Sequence, residues 1–521
     1  MTNPSTLYRG GVLHCPADPS ATALLVSGGR IAWLGTDGDA PPADRVVDLG
    51  GALVTPAFVD AHVHATDTGL TLSGLDVSGV RSAGQLLDAV AGFAAGLPAD
   101  AVVLGHGWDE SAWSDATLPD AAALDRAAGG RRVYLSQASI HSALVSSALL
   151  AACPEAERAA GYDASGWLRR DAHHVVRAAA QGSVSRAQRV AAQRVALAHA
   201  ASLGIAAVHE CGGPQISDEE DFTGLLGISG AGLPEVYGYW GELGGAARAR
   251  ELGAVGAGGD LFADGALGSR TAHVSQPYGD GDGCGHGYLS TEQVRDHLLD
   301  CAAHGMQGGF HAIGDAAIGT VLDGFAAAAR TVGVERLRAA RHRIEHAEIM
   351  NKRLIARFVE YGVVASMQPA FDRLWGGAGR MYETRLGLDR SFKSNPMGAM
   401  HSVGVALAFG SDSPVTPLDP WGSVRAAAAH HNPAQRMGVR SAFAAHTRGG
   451  WRAVHLDVEG VLALGAPATF AVWSTPAGVQ RGLPVLLAED PELRGPDDPT
   501  PLPVCRRLVL RGEVIYEEGS S

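Results

Sequence analysis

Apolar positions run almost unbroken over residues 53–63 and end on Asp60-Ala61-His62-Val63-His64. Such a run predicts a buried strand, whose period of two turns both imidazoles toward one side. Further strand-like apolar segments occupy residues 205–209, 260–263, 307–312, 342–346, 363–368 and 405–409, with helical stretches between most of them. Residues 188–202, rich in alanine and followed by Gly204, predict one such helix and its stop. Repeated strand–helix units imply an α/β fold with a parallel sheet, and this many favour a closed (β/α)8 barrel of the TIM type over an open one.

The two ends of the chain carry a different pattern. Short strand signals at residues 23–26, 30–34 and 46–49 are separated by Gly-Gly and Asp-Gly turns, and similar ones recur at 470–473, 508–510 and 514–516. Both ends together, residues 1–53 and 456–521, therefore predict one composite β-sandwich domain, with the Pro-rich stretch 491–503 as its surface loop. Residues 54–455 remain for the barrel. Within them, residues 70–180 break the strand–helix rhythm, which predicts an insertion after the first barrel strand that caps the mouth of the site.

Composition narrows the class. At 521 residues with 46% hydrophobic and 18% charged positions, the chain is that of a soluble globular protein. A formal net charge of −14 argues against nucleic acid or an anionic membrane as partner. The start, Met1-Thr2-Asn3-Pro4-Ser5, lacks the features of a secretory signal, and no run is long enough to span a membrane. The 6 cysteines are scattered without a Cys-x-x-Cys, so reduced thiols in a cytoplasmic, bacterial protein are expected. A small-molecule substrate is the expected partner, with a homodimer as the default assembly.

The His-x-His alone carries little weight, because 21 histidines in this length give about one by chance. Its value comes from the strand-like segments that follow, which end in His311, in Glu345-His346 and in Ser411-Asp412-Ser413. His62, His64, His311, His346 and Asp412 together form a ligand set suited to Zn2+, with Fe2+, Mn2+ or Co2+ as alternatives. A metal so held lowers the pKa of a bound water to about 7 and polarises a carbonyl. Asp412 is the candidate for taking the proton from that water.

These same segments resemble a known family. The stretch from Leu53 to His64 resembles the first-strand motif of the amidohydrolase superfamily. So do His342-Arg343-Ile344-Glu345-His346-Ala347-Glu348, Ser366-Met367-Gln368-Pro369 and Gly410-Ser411-Asp412-Ser413-Pro414-Val415. With Asp264-Gly265-Ala266-Leu267-Gly268-Ser269-Arg270 they are similar to the branch that includes N-substituted formamide deformylases. The resemblance implies that His62 and His64 bind a first metal with Asp412, and that His311 and His346 bind a second.

One departure stands out. Many relatives carry a lysine on the fourth strand, before the Asp-Gly, whose carboxylated side chain bridges two metals. Here Asp260 occupies that place, and the only lysines, Lys352 and Lys393, lie too late in the chain to replace it. An aspartate also offers two oxygens, so Asp260 is a candidate metal ligand on a much shorter side chain. Either the backbone moves inward there or the site holds one ion. Glu210 is a weaker candidate nearby.

Substrate-binding candidates are His141, Trp108 and Asp109 in the insertion, and Arg270 after the Asp-Gly. The competing roles are a buried anchor for Trp108 and a structural pair with a loop acid for Arg270. Glu345 and Glu348 flank His346 and read as supporting rather than catalytic. His173-His174 and His430-His431 read as exposed. The expected activity is hydrolysis of a non-peptide C–N bond in an amide, N-acyl or N-formyl substrate, with His141 or Arg270 stabilising the oxyanion. The alternatives are a one-metal deaminase of a ring amidine, a lactone or ester hydrolase, and an inactive relative acting by interaction.

Overall fold

A computed structural model describes residues 4–113, 115, 117–138, 142–495 and 498–519. It divides into two compact units, Met1–Ala65 with Leu197–Ser521, and Thr66–Ala196. In the larger unit eight strands lie side by side in chain order and run parallel. They are β1 (Phe58–Val63), β2 (Ile205–Gly212), β3 (Glu235–Trp240), β4 (Gly256–Ala257), β5 (Gln307–Ala312), β6 (Arg343–His346), β7 (Val364–Met367) and β8 (Ala406–Phe409). Val63 pairs in parallel fashion with Ser413, just beyond β8. There the amide of His64 donates to Ser413 O at 2.9 Å and that of Asp412 to His62 O at 2.8 Å. The eight strands thus form a nearly closed barrel, with β1 returning beside β8.

The apolar run over residues 53–63 is two strands rather than one. Leu53–Pro56 pairs with Phe470–Ser474 in a separate sheet, and β1 begins at Phe58. The Ala57 amide still donates to Thr469 O, while the Phe58 amide donates to Gly204 O in the barrel. The chain changes partners within one residue, and both halves are fully buried, which is why no polar position marks the break.

The fourth strand also lies elsewhere than expected, at Gly256–Ala257 instead of residues 260–263. Gly258 and Gly259 end it. A Cβ on Gly258 would sit 2.2 Å from the Gly309 amide nitrogen, and Gly259 has a φ of +77°. The chain therefore presses against the β5 backbone here, and Phe262 makes a single bridge to His311 beyond this point. Strand β3, Glu235-Val236-Tyr237-Gly238-Tyr239-Trp240, lies outside the apolar segments that predict strands.

Besides a small hairpin, Val479–Gln480 with Leu483–Pro484, the remaining strands of the larger unit form two larger sheets. One holds Arg30–Gly35, Ala23–Ser27, Ser5–Arg9 and Arg45–Asp48; the other holds Val12–Leu13, Leu53–Pro56, Phe470–Ser474, Val504–Leu510 and Glu513–Glu517. Leu24 and Ile31 from the first share an apolar cluster with Val54, Phe470 and Val509 from the second.

The smaller unit has its own five-stranded sheet, in the order Trp167–Arg169, Ser142–Val145, Val133–Gln137, Val103–Trp108 and Leu75–Asp76. Two apolar clusters pack on it, one centred on Trp108 and Leu135, the other on Val145 and Val176. Among the described residues no single helix is long and apolar enough to cross a membrane.

Candidate metal centre

Parallel strands deliver side chains to one end of a barrel. His62 lies on β1 and His64 just past it, His311 and His346 lie at the ends of β5 and β6, and Asp412 follows β8. His346 and Asp412 both have left-handed backbones, with φ of +70° and +58°. Non-glycine residues persist there only where the surroundings hold them.

Asp260 stands among all four imidazoles. Its Oδ1 lies 3.5 Å from His62 Nε2, 3.6 Å from His311 Nδ1 and 3.8 Å from His346 Nε2, and its Oδ2 lies 3.3 Å from His64 Nε2. Asp412 Oδ1 lies 3.4 Å from His62 Nε2 and 3.3 Å from His64 Nε2. These separations exceed the 2.7–3.2 Å of ordinary N–H···O bonds. Donors each about 2.0–2.2 Å from one tetrahedral ion would lie about 3.3–3.6 Å apart. His62 Nε2, His311 Nδ1, His346 Nε2 and Asp260 Oδ1 are buried with no hydrogen-bond partner among the described residues. Leaving such atoms unpaired costs about 1–3 kcal/mol each, and an ion removes that cost. The residues present therefore fit a divalent metal.

Charge tells the same story. Burial pushes the His64 imidazole down, yet Asp260 and Asp412 hold it well above its usual range. Asp260, although buried, is held well below the carboxylate range by the imidazoles of His62, His311 and His346.

Around these atoms lies a set of supporting groups. Glu345 Oε2 accepts from His62 Nδ1 at 3.0 Å, and Gln368 Oε1 accepts from His346 Nδ1 at 2.9 Å. Each fixes a ring so that its other nitrogen faces the cage. Arg343 closes the base. Its guanidinium grips both Glu345 oxygens at 2.6 and 2.7 Å and donates to Ala61 O, Ser366 Oγ and His209 Nδ1. It also lies 4.3 Å over the Tyr239 ring. Asp264 accepts from the amides of His273, Ile313 and Gly314, which sets the loop after β5. Burial pushes the Glu348 carboxyl up to about 7, although Tyr382 donates to it. Glu210 accepts from the Ala65 amide at 2.8 Å.

The substrate-binding candidates fare differently. His141 lies outside the described residues. Trp108 has 0% exposure and donates its indole N–H to Leu135 O at 2.8 Å. It serves the core of the smaller unit, since a ring with no free surface has none to offer a substrate. Asp109 is exposed and caps the short helical turn after it, accepting from Ser111. Arg270 is exposed and pairs with Asp280 through two contacts at 3.0 and 2.8 Å.

Three of the four paired histidines differ from expectation, while His174 is exposed as expected. His173 is buried against the Tyr134 hydroxyl at 2.8 Å. His430 is buried and His431 nearly so, both lying against the Asp372 carboxylate at 3.2 and 2.5 Å. Arg343 and Gln368 were the supporting residues that motif reading left without a role. Their signal was present, since an arginine between the apolar positions of a buried strand demands a partner acid.

A model described as the amidohydrolase family matches residues 45–516. The putative amidohydrolase YtcJ of Bacillus subtilis is 25% identical over 98% of this chain and 99% of that protein. An uncharacterized metal-dependent hydrolase from Pyrococcus furiosus superposes with a TM-score of 0.75 at 24% identity, over 90% of this chain and 98% of that one. N-isopropylammelide isopropylaminohydrolase from Burkholderia multivorans superposes with a TM-score of 0.52 at 17% identity, over 98% of each chain.

Proposed function

The chain belongs to the amidohydrolase family, and from that premise we propose that it hydrolyses a carbon–nitrogen bond other than a peptide bond, in an amide, N-acyl or N-formyl compound. The observation that supports a hydrolytic metal site is the cage of buried, unpaired ligand atoms around Asp260. His62, His64 and Asp412 would hold one divalent ion, and His311 and His346 a second. Asp260, with Oδ2 toward His64 and Oδ1 among His62, His311 and His346, would serve both. Zinc suits this set of imidazoles and carboxylates, and iron, manganese or cobalt share it.

Bound there, such an ion polarises a carbonyl and makes water a nucleophile near neutral pH. The remaining steps fall to the chain. Asp412 takes a proton from the attacking water as the oxygen joins the carbonyl carbon. When the C–N bond breaks, Asp412 returns that proton to the leaving nitrogen, giving a carboxylic acid and an amine. Glu345 and Gln368 keep the rings of His62 and His346 oriented throughout.

Plasma mass spectrometry on protein purified without added metal tests the site. About two equivalents per chain are expected. A value near one would take Asp260 out of a bridging role and favour the deaminase. Turnover of a panel of N-formyl and N-acyl amines should vanish on chelation and return on adding metal. Turnover indifferent to the chelator would overturn the reading.

A further inference from the structure

A cluster of arginines lies at the opposite end of the barrel from the metal centre. A half-open cavity of about 910 Å³ is bounded by the residues at the starts of β7 and β8, including Gly362, Val405 and Ala406. The metal-ligating side chains sit at the other end of the barrel, Asp412 among them just past the far end of β8. Small residues leave the space: Gly404, Ala444, Gly449 and Ala453 all line it.

Five arginines surround this space, namely Arg338, Arg341, Arg440, Arg448 and Arg452. In a chain whose net charge is −14, that is a marked local reversal of sign. Among the described residues Glu335 is the only acid in the lining. Asp457 pairs with Arg341 at 2.7 Å and with Arg452 at 3.3 Å, from outside it. Arg338 spends its Nη1 on the carbonyls of Val359 and Glu360, and among the described residues no carboxylate pairs with it. Among the described residues Arg440 hydrogen-bonds only the Arg481 carbonyl, at 3.4 Å, and no ion pair engages Arg448.

Five guanidinium groups against two carboxylates repel one another across the cavity. Guanidinium forks match phosphate and carboxylate oxygens, and an anion placed among them turns that repulsion into attraction. The volume lies in the range of small-molecule sites, about 300–1,000 Å³. We propose that this cavity binds a small oligoanion carrying two or more phosphate or carboxylate groups, on the face of the barrel remote from the metal-ligating residues.

Calorimetric titration of the metal-loaded protein with inorganic pyrophosphate should reveal one saturable site whose affinity falls as salt is added. The double variant Arg440→Glu/Arg448→Glu should weaken it by about tenfold or more. Arg440→Gln/Arg448→Gln should weaken it less, and covers the case in which charge reversal spoils folding. Turnover should be unchanged in both, since neither side chain belongs to the metal site. Any ions extracted by the probe are common to all variants and drop out of the difference. Tighter binding of pyrophosphate than of citrate assigns the site to phosphates, and the reverse to polycarboxylates. Binding that survives both double variants unchanged would place the anion elsewhere and overturn the proposal. So would a wild-type protein that saturates with neither probe.

Discussion

His62 is oriented by a carboxylate that is itself gripped by a buried arginine, and this pair decides what happens when either partner is changed. Arg343 and Glu345 both have 0% exposure. Replacing Glu345 with Gln leaves the guanidinium buried without its counter-charge, which costs about 3–5 kcal/mol. Chemical denaturation of Glu345→Gln should show a loss of that size, and metal affinity should fall about 10–100-fold because the His62 ring loses its anchor. Asp412→Asn separates a different role. The amide still fills the space but takes no proton and is a weaker ligand, so with metal added to saturation and its content checked by plasma mass spectrometry, kcat should fall about 10²–10⁴-fold. A kcat within a few-fold of wild type would remove Asp412 from proton transfer.

At the scale of elements, the glycines around β4 set where Asp260 can reach. With no Cβ at Gly258 or Gly309, the two backbones pack directly against each other, a Cβ on Gly309 meeting the Gly259 amide at 2.8 Å. Gly258→Ala should push the chain out and reduce metal content per folded chain, as read by plasma mass spectrometry on the purified variant. Full occupancy in a stable Gly258→Ala protein would show that Asp260 does not depend on this approach. The ligand-bearing strand ends were legible in the sequence because each is a local pattern, a short apolar run closing on His or Asp. The glycine-broken β4 was misplaced for the same reason, since Gly256, Gly258 and Gly259 carry no side chain from which to read a period. Pairings between distant segments left no trace either. Nothing near His430 or His431 announces that Asp372 waits for them, and nothing at Ala57 announces a change of sheet.

Across the whole molecule, the buried histidines outside the cage make the fold sensitive to acid. Burial lowers His342 from the ordinary 6.5 to about 3, and its Nδ1 accepts from the Gly308 amide at 2.7 Å. A folded pKa below the unfolded one means the stabilisation is full above about 6.5 and is lost as pH falls toward the folded value. His342 alone accounts for about 3–5 kcal/mol over that window. His209, His297 and His446 are pushed down by burial as well, so their contributions fall in the same direction. Thermal melts in the presence of chelator, which remove metal loss from the comparison, should therefore show stability falling steadily below pH about 6.5. His342→Gln, which keeps an acceptor for Gly308 but cannot be protonated there, should flatten that slope. An unchanged slope would show that His342 is not a principal source.

The change of partners at Ala57 also has a consequence in time. Leu53–Pro56 can pair with Phe470–Ser474 only after that segment has been synthesised, and the latter pairs in turn with Val504–Leu510. The strand that carries His62 is thus tethered to a sheet three of whose members, Phe470–Ser474, Val504–Leu510 and Glu513–Glu517, emerge from the ribosome more than four hundred residues later. Contacts of such sequence separation form slowly and late. The first metal ligands to be translated are therefore among the last to be held in place, and ion capture becomes a step that follows translation.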